Sequence, residues 1–325
     1  MSNEKLKFKK SVLTVSVGTE YYHSLTRTLI KSFLIHNKNE IVFNLLTDNP
    51  KFFSEFVNEI NVFIQDLNIS DKDKSFTSKF YMYDKIIANE NLFIDCDCII
   101  FQDLNHIFDL FANRNFSAIG TQQKNGDFFC NIESIVKKFN IPSLPVFVGS
   151  VYYFKQGQIA ANIFKKATQL KSDYDHYGFI RLRGKENEEP LIAVAMSLYG
   201  ETTLQNTSIK ADAMFYKRIN SNVIRGKNDL LAIQNNFNIK DTYANESVRN
   251  IPIIHFNASF SDGWNYKLEQ FRLKNIHLPQ NLVDIAGQMG IKYPAILKIW
   301  TKEILRPIYR SIFGFRKVST SKRLK

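Results

Sequence analysis

The first third of the sequence alternates short apolar segments with segments of helical periodicity, and this alternation constrains the fold more than any other feature. The pattern predicts strands at Val12–Val17, Ile41–Thr47, Asn61–Ile64 and Leu92–Ile94. Between them it predicts helices at Leu25–His36, Phe52–Glu59 and Ser78–Asn89. Because consecutive parallel strands need crossover connections, the alternation predicts an α/β fold with a mixed, mostly parallel sheet flanked by helices.

The segment Asp95-Cys96-Asp97 lies directly after the strand Leu92–Ile94 and places two carboxylates at the end of that strand. Because residues i and i+2 of an extended segment point to the same side, Asp95 and Asp97 can bind one divalent cation. Carboxylate oxygens favour Mg²⁺ or Mn²⁺, which leave coordination positions for substrate phosphates. Ligands of such sheets bind beyond the carboxyl ends of the strands, so the motif predicts a nucleotide diphosphate held through a metal ion. A solvated strand end is the alternative, because D-x-D is a short pattern.

The middle of the chain is less regular. It predicts strands at Ser117–Thr121, Val146–Phe154 and Ile251–Phe256, and helices near Ile159–Leu170 and Pro190–Tyr199. No internal repeat or linker is evident before about residue 290. One large domain over residues 1–290, followed by a tail over residues 291–325, is therefore expected.

Cysteine usage and the polar start of the chain indicate a cytoplasmic protein. Cys96, Cys98 and Cys130 are too few for a disulfide framework, and a zinc site at the first two would need a second pair of ligands. Met1–Lys10 is polar and is not followed by the apolar segment of a signal peptide. Since no apolar stretch is long and uncharged enough to span a bilayer, attachment to a membrane is expected only at its surface.

The formal net charge of +12 is concentrated at one end of the chain. Residues 292–325 contain ten Lys and Arg and one Glu, which account for nine of the twelve charges. From Pro294 to Phe315, apolar residues including Trp300 and Tyr309 lie among these cations at helical spacing, with Pro307 as the expected kink. The pattern predicts a basic amphipathic helix bound to the inner, anionic face of a membrane, and no nucleic acid is expected as a partner. A helix packed on the domain and an RNA-binding tail are the alternatives.

Three motifs in the first third of the chain together resemble glycosyltransferases of the GT-A (Rossmann-like) fold, close in layout to family 8, over roughly residues 11–265. They are Lys79-Phe80-Tyr81-Met82-Tyr83-Asp84-Lys85, the strand leading into Asp95-Cys96-Asp97, and Asp103-Leu104. The resemblance implies transfer of a sugar from a nucleotide diphosphate, with UDP expected, to a saccharide or lipid-linked acceptor in the synthesis of cell-surface polysaccharide or glycolipid. It also implies a nucleotide-binding half at about 11–121 and an acceptor side at about 122–290.

The resemblance implies metal ligation by Asp95, Asp97 and His255, the histidine of Ile253-Ile254-His255-Phe256. An imidazole is an acceptable third ligand for Mn²⁺ and a poorer one for Mg²⁺, so Mn²⁺ is the expected cofactor and Mg²⁺ the alternative. Lys79 matches the basic residue that contacts the donor in the family. A hydrogen-bonded core histidine is the alternative for His255.

The opening Val15–Tyr22 resembles the nucleoside loop of the family. The resemblance implies donor contacts from Val17, Gly18, Thr19, Tyr21 and Tyr22. Backbone groups would read the base edge, and one of the two tyrosines would stack on the base. Tyrosines that cap the core are the alternative. Asp48, at the end of the second strand, also resembles the family, with a helix cap as its alternative role.

The sequence departs from the family pattern after His255 and in the sugar-binding turn. Phe256-Asn257-Ala258-Ser259 follows the histidine, and Lys267 appears only later, so its contact with the diphosphate is an open expectation. Phe147-Val148-Gly149-Ser150 stands where the family has Asn-Ala-Gly. Gly149 would let the donor sugar approach the backbone beside Ser150, and a bulge in the strand is the alternative.

Glu188-Glu189-Pro190 opens a predicted helix, which is ordinary chemistry for a helix start. The resemblance places an acidic side chain of this helix near the donor sugar. Glu189 is therefore the first candidate to bind sugar hydroxyls or flank the anomeric carbon, and Glu188 is the second. A nucleotidyltransferase and a non-catalytic nucleotide-sugar or membrane-binding protein are the alternative functions.

Overall fold

The computed structural model describes residues 6–37, 40–206, 208–233 and 247–315. Its strands, in chain order, are β1 (Phe8–Ser16), β2 (Ile41–Thr47), β3 (Val62–Asp66), β4 (Ala88–Ile94), β5 (Cys98–Ile100), β6 (Phe116–Gln123), β7 (Leu144–Lys155), β8 (Lys210–Asp212), β9 (Tyr216–Asn222), β10 (Lys227–Ala232), β11 (Ser247–Arg249) and β12 (Ile253–His255). Its α-helices are α1 (Glu20–His36), α2 (Asn105–Phe111), α3 (Ile132–Phe139), α4 (Gln158–Ser172), α5 (Glu188–Leu198), α6 (Trp264–Lys274), α7 (Gln280–Gly287) and α8 (Tyr293–Phe313).

Six strands form the central sheet in the order β3-β2-β1-β4-β7-β6. The first four of these run parallel, and β7 runs antiparallel between β4 and β6. This arrangement confirms the predicted α/β fold with a mixed, mostly parallel sheet. Every strand predicted from the sequence has a counterpart, whereas the short strands β5, β8, β9, β10 and β11 were not predicted.

Alternate residues of β1 enter two different apolar layers. Leu13 belongs to a cluster with Phe93 and the apolar residues of α5. Its neighbour Val12 belongs to a second cluster with Leu29 and Phe33 of α1. All five side chains are fully buried. The central sheet is therefore covered by helices on both faces, as a parallel sheet requires.

Two short sheets lie outside the central one. In the order β5-β12-β8, β12 runs antiparallel to β5 and parallel to β8, and this register pairs His255 with both Cys98 and Asp212. His255 is thereby placed beside the residues that directly precede β5, which include Asp97. Strands β9, β10 and β11 form an antiparallel sheet in the order β11-β10-β9.

The predicted helix Phe52–Glu59 is wrong in type and extent. The chain forms a 3₁₀ segment at Pro50–Phe56, and its backbone leaves helical geometry at Phe53, with φ −105° and ψ 20°. The apolar residues that suggested an α-helix are Phe53 and Phe56, which are buried in the layer that contains α1. Packing rather than helical periodicity explains their spacing.

The predicted helix Ser78–Asn89 is also wrong. A 3₁₀ segment spans Phe76–Lys85, and the backbone turns to an extended conformation at Ile86. Ala88 already pairs with Phe8 in the central sheet, so β4 begins where the helix was predicted to end. Pairing with β1 overrides the helical pattern at these positions.

The described residues form two compact units divided after Ala258. The second unit contains α6, α7, a π-helical segment at Gln288–Lys292 and α8. This division lies earlier than the tail boundary at 291 expected from the sequence, and the assignment of a catalytic domain to residues 1–290 remains a prediction. Among the described residues, no helix is both long and apolar enough to cross a membrane.

The C-terminal helix predicted from the basic tail is present as α8, with Pro307 inside it. None of its residues is buried. Several of the tail's cations, Arg316, Lys317, Lys322, Arg323 and Lys325, lie outside the described residues.

Candidate active site

The site is built where β4 reaches the carboxyl edge of the central sheet. The Asp95 N–H donates to the Ser150 carbonyl at 2.9 Å, and the Phe256 N–H donates to the Asp97 carbonyl at 3.0 Å. These backbone bonds hold the D-x-D motif between β7 and the end of β12. As a result, one ligand atom each from Asp95, Asp97 and His255 lies within 4.8 Å of the other two.

The contact between Asp97 and His255 fits a shared metal ion. Asp97 Oδ1 lies 3.1 Å from His255 Nε2. Even so, within the part of the chain that the structure describes, this buried oxygen has no hydrogen-bond partner. Adjacent ligand atoms of an octahedral ion bound at about 2.0–2.1 Å lie about 2.9 Å apart, close to the observed spacing. Together with the oxygen of Asp95, these two atoms form a donor set suited to Mn²⁺ or Mg²⁺.

His255 lies between two carboxylates. Burial alone would lower the pKa of His255, but the charge of Asp97 and the hydrogen bond to Asp212 outweigh burial and raise it to about 10. Burial would raise the pKa of Asp97, and the charge of His255 instead holds it below its ordinary value. A divalent cation at this point therefore competes with a proton on the imidazole.

Lys79 connects the D-x-D motif to the start of α5. Its ammonium donates to Asp95 Oδ2 at 3.1 Å, to the Gly149 carbonyl at 2.9 Å and to Glu188 Oε1 at 2.5 Å. Burial would lower the pKa of Lys79, but the charges of Asp95 and Glu188 raise it above its ordinary value. Because an ammonium group has three N–H donors, a direct contact with a diphosphate requires Lys79 to exchange one of these acceptors.

Glu188 and Glu189 have different environments although they are adjacent. Glu188 is buried against Lys79, and its Oε2 has no hydrogen-bond partner among the described residues. Glu189 is only partly buried, and its Oε1 accepts the Gly149 N–H at 2.7 Å. Burial, followed by the charge of Glu188, raises the pKa of Glu189 to about 7. Both residues also lie in the first turn of α5, whose N-cap Asn187 accepts the Glu189 N–H.

Gly149 is required by its neighbours rather than by its backbone angles. A Cβ at this position would lie 2.5 Å from the Tyr152 hydroxyl, 2.9 Å from Glu188 Oε1 and 2.9 Å from Glu189 Cγ. Gly149 lies within β7, at a point where the pairing of β7 with β6 shifts register, and this part of the strand packs directly against both carboxylates. The next residue, Ser150, is buried, and its hydroxyl accepts a hydrogen bond from Lys210 at 3.1 Å.

Asp212 and Lys210 complete the site, and the sequence analysis did not identify them. Asp212 Oδ1 accepts a hydrogen bond from His255 Nδ1 at 2.7 Å, and Lys210 donates to Asp212 Oδ2 at 2.9 Å. Burial would raise the pKa of Asp212, but the charge of Lys210 and the bond to His255 lower it to about 2. The only sequence signal is the i, i+2 spacing of the two residues, which places them on one side of β8.

The nucleoside loop is held by the end of β2. Gly18 has φ +96°, and its N–H donates to Asp48 Oδ2 at 3.1 Å. Asp48 also forms an ion pair with Lys74 at 3.1 Å. Its Oδ1 lies 3.5 Å from Nε2 of His23, whose pKa is lowered by burial. Asp48 does not cap the following 3₁₀ segment, whose cap position is occupied by Asn49. The Gly18 N–H is therefore bound within the protein.

Tyr21 and Tyr22 lie in the first turn of α1 rather than in a loop, and Tyr22 interacts electrostatically with the D-x-D motif. Tyr22 is 39% exposed, and its ring contacts Tyr21 edge-on at 5.4 Å. Burial, followed by electrostatic interactions with Cys96, Asp95 and Asp97, raises the pKa of Tyr22, and the charge of Arg183 opposes this rise. Thr19 is the N-cap residue of α1, and its carbonyl accepts the Tyr22 N–H. Val17 is partly buried and packs against the apolar layer that contains α5.

Lys267 lies in the first turn of α6 within the second unit. Its N–H donates to the Gly263 carbonyl at 3.1 Å. Contact of its side chain with a diphosphate remains a prediction.

Comparison with solved structures finds glycosyltransferases with related folds. The apo form of the WbbM bifunctional glycosyltransferase matches 89% of this chain and 53% of its own chain, at 12% identity and a TM-score of 0.53. The galactosyltransferase LgtC, in complex with donor and acceptor sugar analogues, matches 76% of this chain and 87% of its own, at 13% identity and a TM-score of 0.45. The apo form of the glycosyltransferase GlyE from Streptococcus pneumoniae matches 61% of this chain and 46% of its own, at 16% identity and a TM-score of 0.42.

The likeness to WbbM confirms the glycosyltransferase fold predicted from the sequence. The chain spans about half the length of the WbbM and GlyE chains that it matches. No family model and no curated protein sequence matches it. At these identities the likeness concerns the fold, so activity has to be inferred from the site.

Proposed function

We propose that this protein is a metal-dependent glycosyltransferase that moves a sugar from a nucleotide diphosphate, with UDP as the expected nucleotide, to a saccharide or lipid-linked acceptor. The observation that carries the proposal is the convergence of Asp95, Asp97 and His255 at the carboxyl edge of a mostly parallel sheet. Open α/β sheets bind their ligands at this edge. The expected pathway is the synthesis of cell-surface polysaccharide or glycolipid.

Asp95, Asp97 and His255 would hold Mn²⁺, or Mg²⁺ as the alternative. The bound ion supplies positive charge that stabilises the leaving nucleoside diphosphate. Lys79 adds a second positive charge beside Asp95, because its pKa lies above the ordinary value and it stays protonated at neutral pH. Two cationic groups at one point favour departure of a diphosphate over departure of a neutral group.

Glu189 is the residue that we assign to the donor sugar. Its carboxylate is fixed by the Gly149 N–H, and its side chain is only partly buried, so a sugar hydroxyl can donate to it. Glu188 keeps Lys79 in place from the buried side. The nucleoside would lie on the Val17–Tyr22 loop, where the partly exposed ring of Tyr22 offers a stacking surface.

A donor screen tests this function. Purified protein is incubated with UDP-, GDP- and CDP-sugars and Mn²⁺, and the released products are identified. Release of UDP from a UDP-sugar supports the proposal. In a parallel incubation with a nucleoside triphosphate and a sugar 1-phosphate, release of pyrophosphate would indicate a nucleotidyltransferase. Nucleotide-sugar binding without any turnover of donor would indicate a binding protein. Either result would refute the glycosyltransferase.

We also propose that α8 attaches the protein to the inner, anionic face of a membrane. Large apolar side chains of α8 are exposed, among them Trp300 at 59%, Leu305 at 58% and Phe313 at 69%. They alternate along the helix with Lys298, Lys302, Arg306 and Arg310. Apolar residues can enter the headgroup region while the basic side chains reach the anionic surface.

A further inference from the structure

A cluster of buried charged groups lies directly behind the candidate metal ligands. The side chains of Lys210 and Asp212 are each 3% exposed, and that of His255 is 8% exposed. Removal of such groups from water is costly, and a buried ion pair is often no more stabilising than apolar residues of similar volume. Stability alone therefore does not account for these residues.

The two ring nitrogens of His255 face different carboxylates. Nδ1 lies 2.7 Å from Asp212 Oδ1, at hydrogen-bond distance, whereas Nε2 faces the unpartnered Asp97 Oδ1 at 3.1 Å. An ionised carboxylate only accepts hydrogen bonds, so Asp212 keeps a proton on Nδ1. The neutral tautomer that satisfies this bond presents the Nε2 lone pair towards Asp97 and Asp95.

Lys210 connects this histidine to Ser150 of β7, the residue that follows Gly149. Its ammonium donates to both carboxylate oxygens of Asp212, at 2.9 and 3.2 Å, and to the hydroxyl of Ser150 at 3.1 Å. The carbonyl of Ser150 in turn accepts the Asp95 N–H at 2.9 Å. A series of hydrogen bonds through Asp212, Lys210 and Ser150 thus connects His255 to Asp95, another residue that would hold the ion.

We propose that Asp212 is a positioning residue for the metal, which fixes the ring orientation and tautomer of His255, and that Lys210 holds Asp212 in place for this purpose. The inference rests on the metal site of the proposed function. Carboxylate partners of metal-bound histidines orient the ring and raise its basicity as a ligand. Asp212 itself does not touch the substrate in this arrangement.

The test is the affinity of the full-length protein for Mn²⁺, measured from the electron paramagnetic resonance signal of the free ion. Asp212→Asn should weaken Mn²⁺ binding about 10- to 100-fold, as expected for removal of a carboxylate that supports a metal-bound histidine. Donor hydrolysis by this variant should return towards the wild-type kcat as Mn²⁺ is raised. Weaker Mn²⁺ binding with a kcat that recovers at high Mn²⁺ is not expected from a general loss of structure.

Asp284→Asn is the matched control. Asp284 accepts a hydrogen bond from Arg272 at 2.7 Å in the second unit, so the variant makes the same chemical change at another ion pair. It should lower the unfolding midpoint without changing Mn²⁺ affinity. A folded Asp212→Asn protein whose Mn²⁺ affinity lies within about twofold of wild type, as for the control, would overturn the proposal.

A second measurement observes the wild-type protein and does not require that Asp212→Asn folds. With ¹⁵N-labelled histidine and diamagnetic Mg²⁺, the ring of His255 should be protonated at Nδ1 and unprotonated at Nε2, with the signal assigned by its loss in His255→Gln. The opposite tautomer, or no response of the ring to Mg²⁺ and no binding of Mn²⁺, would overturn the proposal. Intact metal binding without any sugar transfer would refute only the transferase and would leave the role of Asp212 standing.

Discussion

Substitution of Gly149 by alanine tests the packing on which the proposed donor site depends. The added Cβ would lie 2.5 Å from the Tyr152 hydroxyl, so this group must recede by about 0.9 Å to reach ordinary contact distance. Tyr152 is fully buried between the rings of Phe93 and Phe147, with centroids at 5.5 and 5.6 Å, and has little room to move. Overpacking of this kind costs about 1–3 kcal/mol of the free energy of unfolding.

The same Cβ would displace the two carboxylates, because it would lie 2.9 Å from Glu188 Oε1 and 2.9 Å from Glu189 Cγ. A shift of a positioning group by roughly 1 Å can lower turnover about 100-fold. We therefore expect Gly149→Ala to lower both the midpoint of chemical denaturation and the rate of donor hydrolysis. Gly290→Ala is the control, since nothing lies within 4 Å of its Cβ position, and it should change neither quantity appreciably.

A second substitution separates the two effects. Tyr152→Phe removes the atom at 2.5 Å, and the hydroxyl's own hydrogen bond to Glu188 is long, at 3.5 Å. The Gly149→Ala/Tyr152→Phe protein should recover part of the lost stability but little of the lost turnover, because the contacts with Glu188 and Glu189 remain. If Gly149→Ala has wild-type stability and turnover, the packing argument is refuted.

The remaining predictions concern the metal, the nucleotide and the tail. Asp95→Ala or Asp97→Ala should abolish Mn²⁺-dependent hydrolysis of the donor, because each removes a proposed metal ligand at a strand end, while circular dichroism shows a folded protein. Near-normal turnover in either variant would contradict the assignment of these residues to the metal site. UDP with Mn²⁺ should raise the melting temperature more than UDP alone, since the ion would join protein and diphosphate. A larger shift with GDP or CDP would contradict uracil as the expected base. Replacement of Lys298, Lys302 and Arg310 by Gln should remove about 3 kcal/mol of attraction to phosphatidylserine vesicles and weaken binding roughly 100-fold with hydrolysis retained; unchanged binding in a sedimentation assay would contradict the proposed membrane contact.

The parts of the fold that follow from local pattern were predicted from the sequence. The apolar runs were sufficient to predict the strands of the central sheet, although two of the three helices predicted between the first four strands are 3₁₀ segments. The D-x-D motif was likewise predicted as a pair of neighbouring carboxylates, since the i, i+2 spacing places both on the same side of an extended segment. His255 was identified as a metal ligand only through a family resemblance, because the sequence around an isolated histidine does not indicate which residues it contacts.

The features that depend on pairing of distant segments were not predictable. Asp212 lies 43 positions before His255, and only the parallel pairing of β8 with β12 brings the two together. The 3₁₀ segment Phe76–Lys85 ends early because Ala88 joins the sheet, which no local propensity indicates. The need for glycine at position 149 arises from the side chains of α5 and β7 around it.

The most direct test of the account is pulsed electron paramagnetic resonance of Mn²⁺ bound to the protein with UDP. Asp95, Asp97 and His255 are proposed to hold one ion that also holds the diphosphate. The spectrum should therefore show a ¹⁴N coupling from an imidazole and a ³¹P coupling from UDP on the same ion. The ¹⁴N coupling should disappear in His255→Gln. An ion that shows the ³¹P coupling without the ¹⁴N coupling, or a ¹⁴N coupling that survives the substitution, would contradict the proposed site.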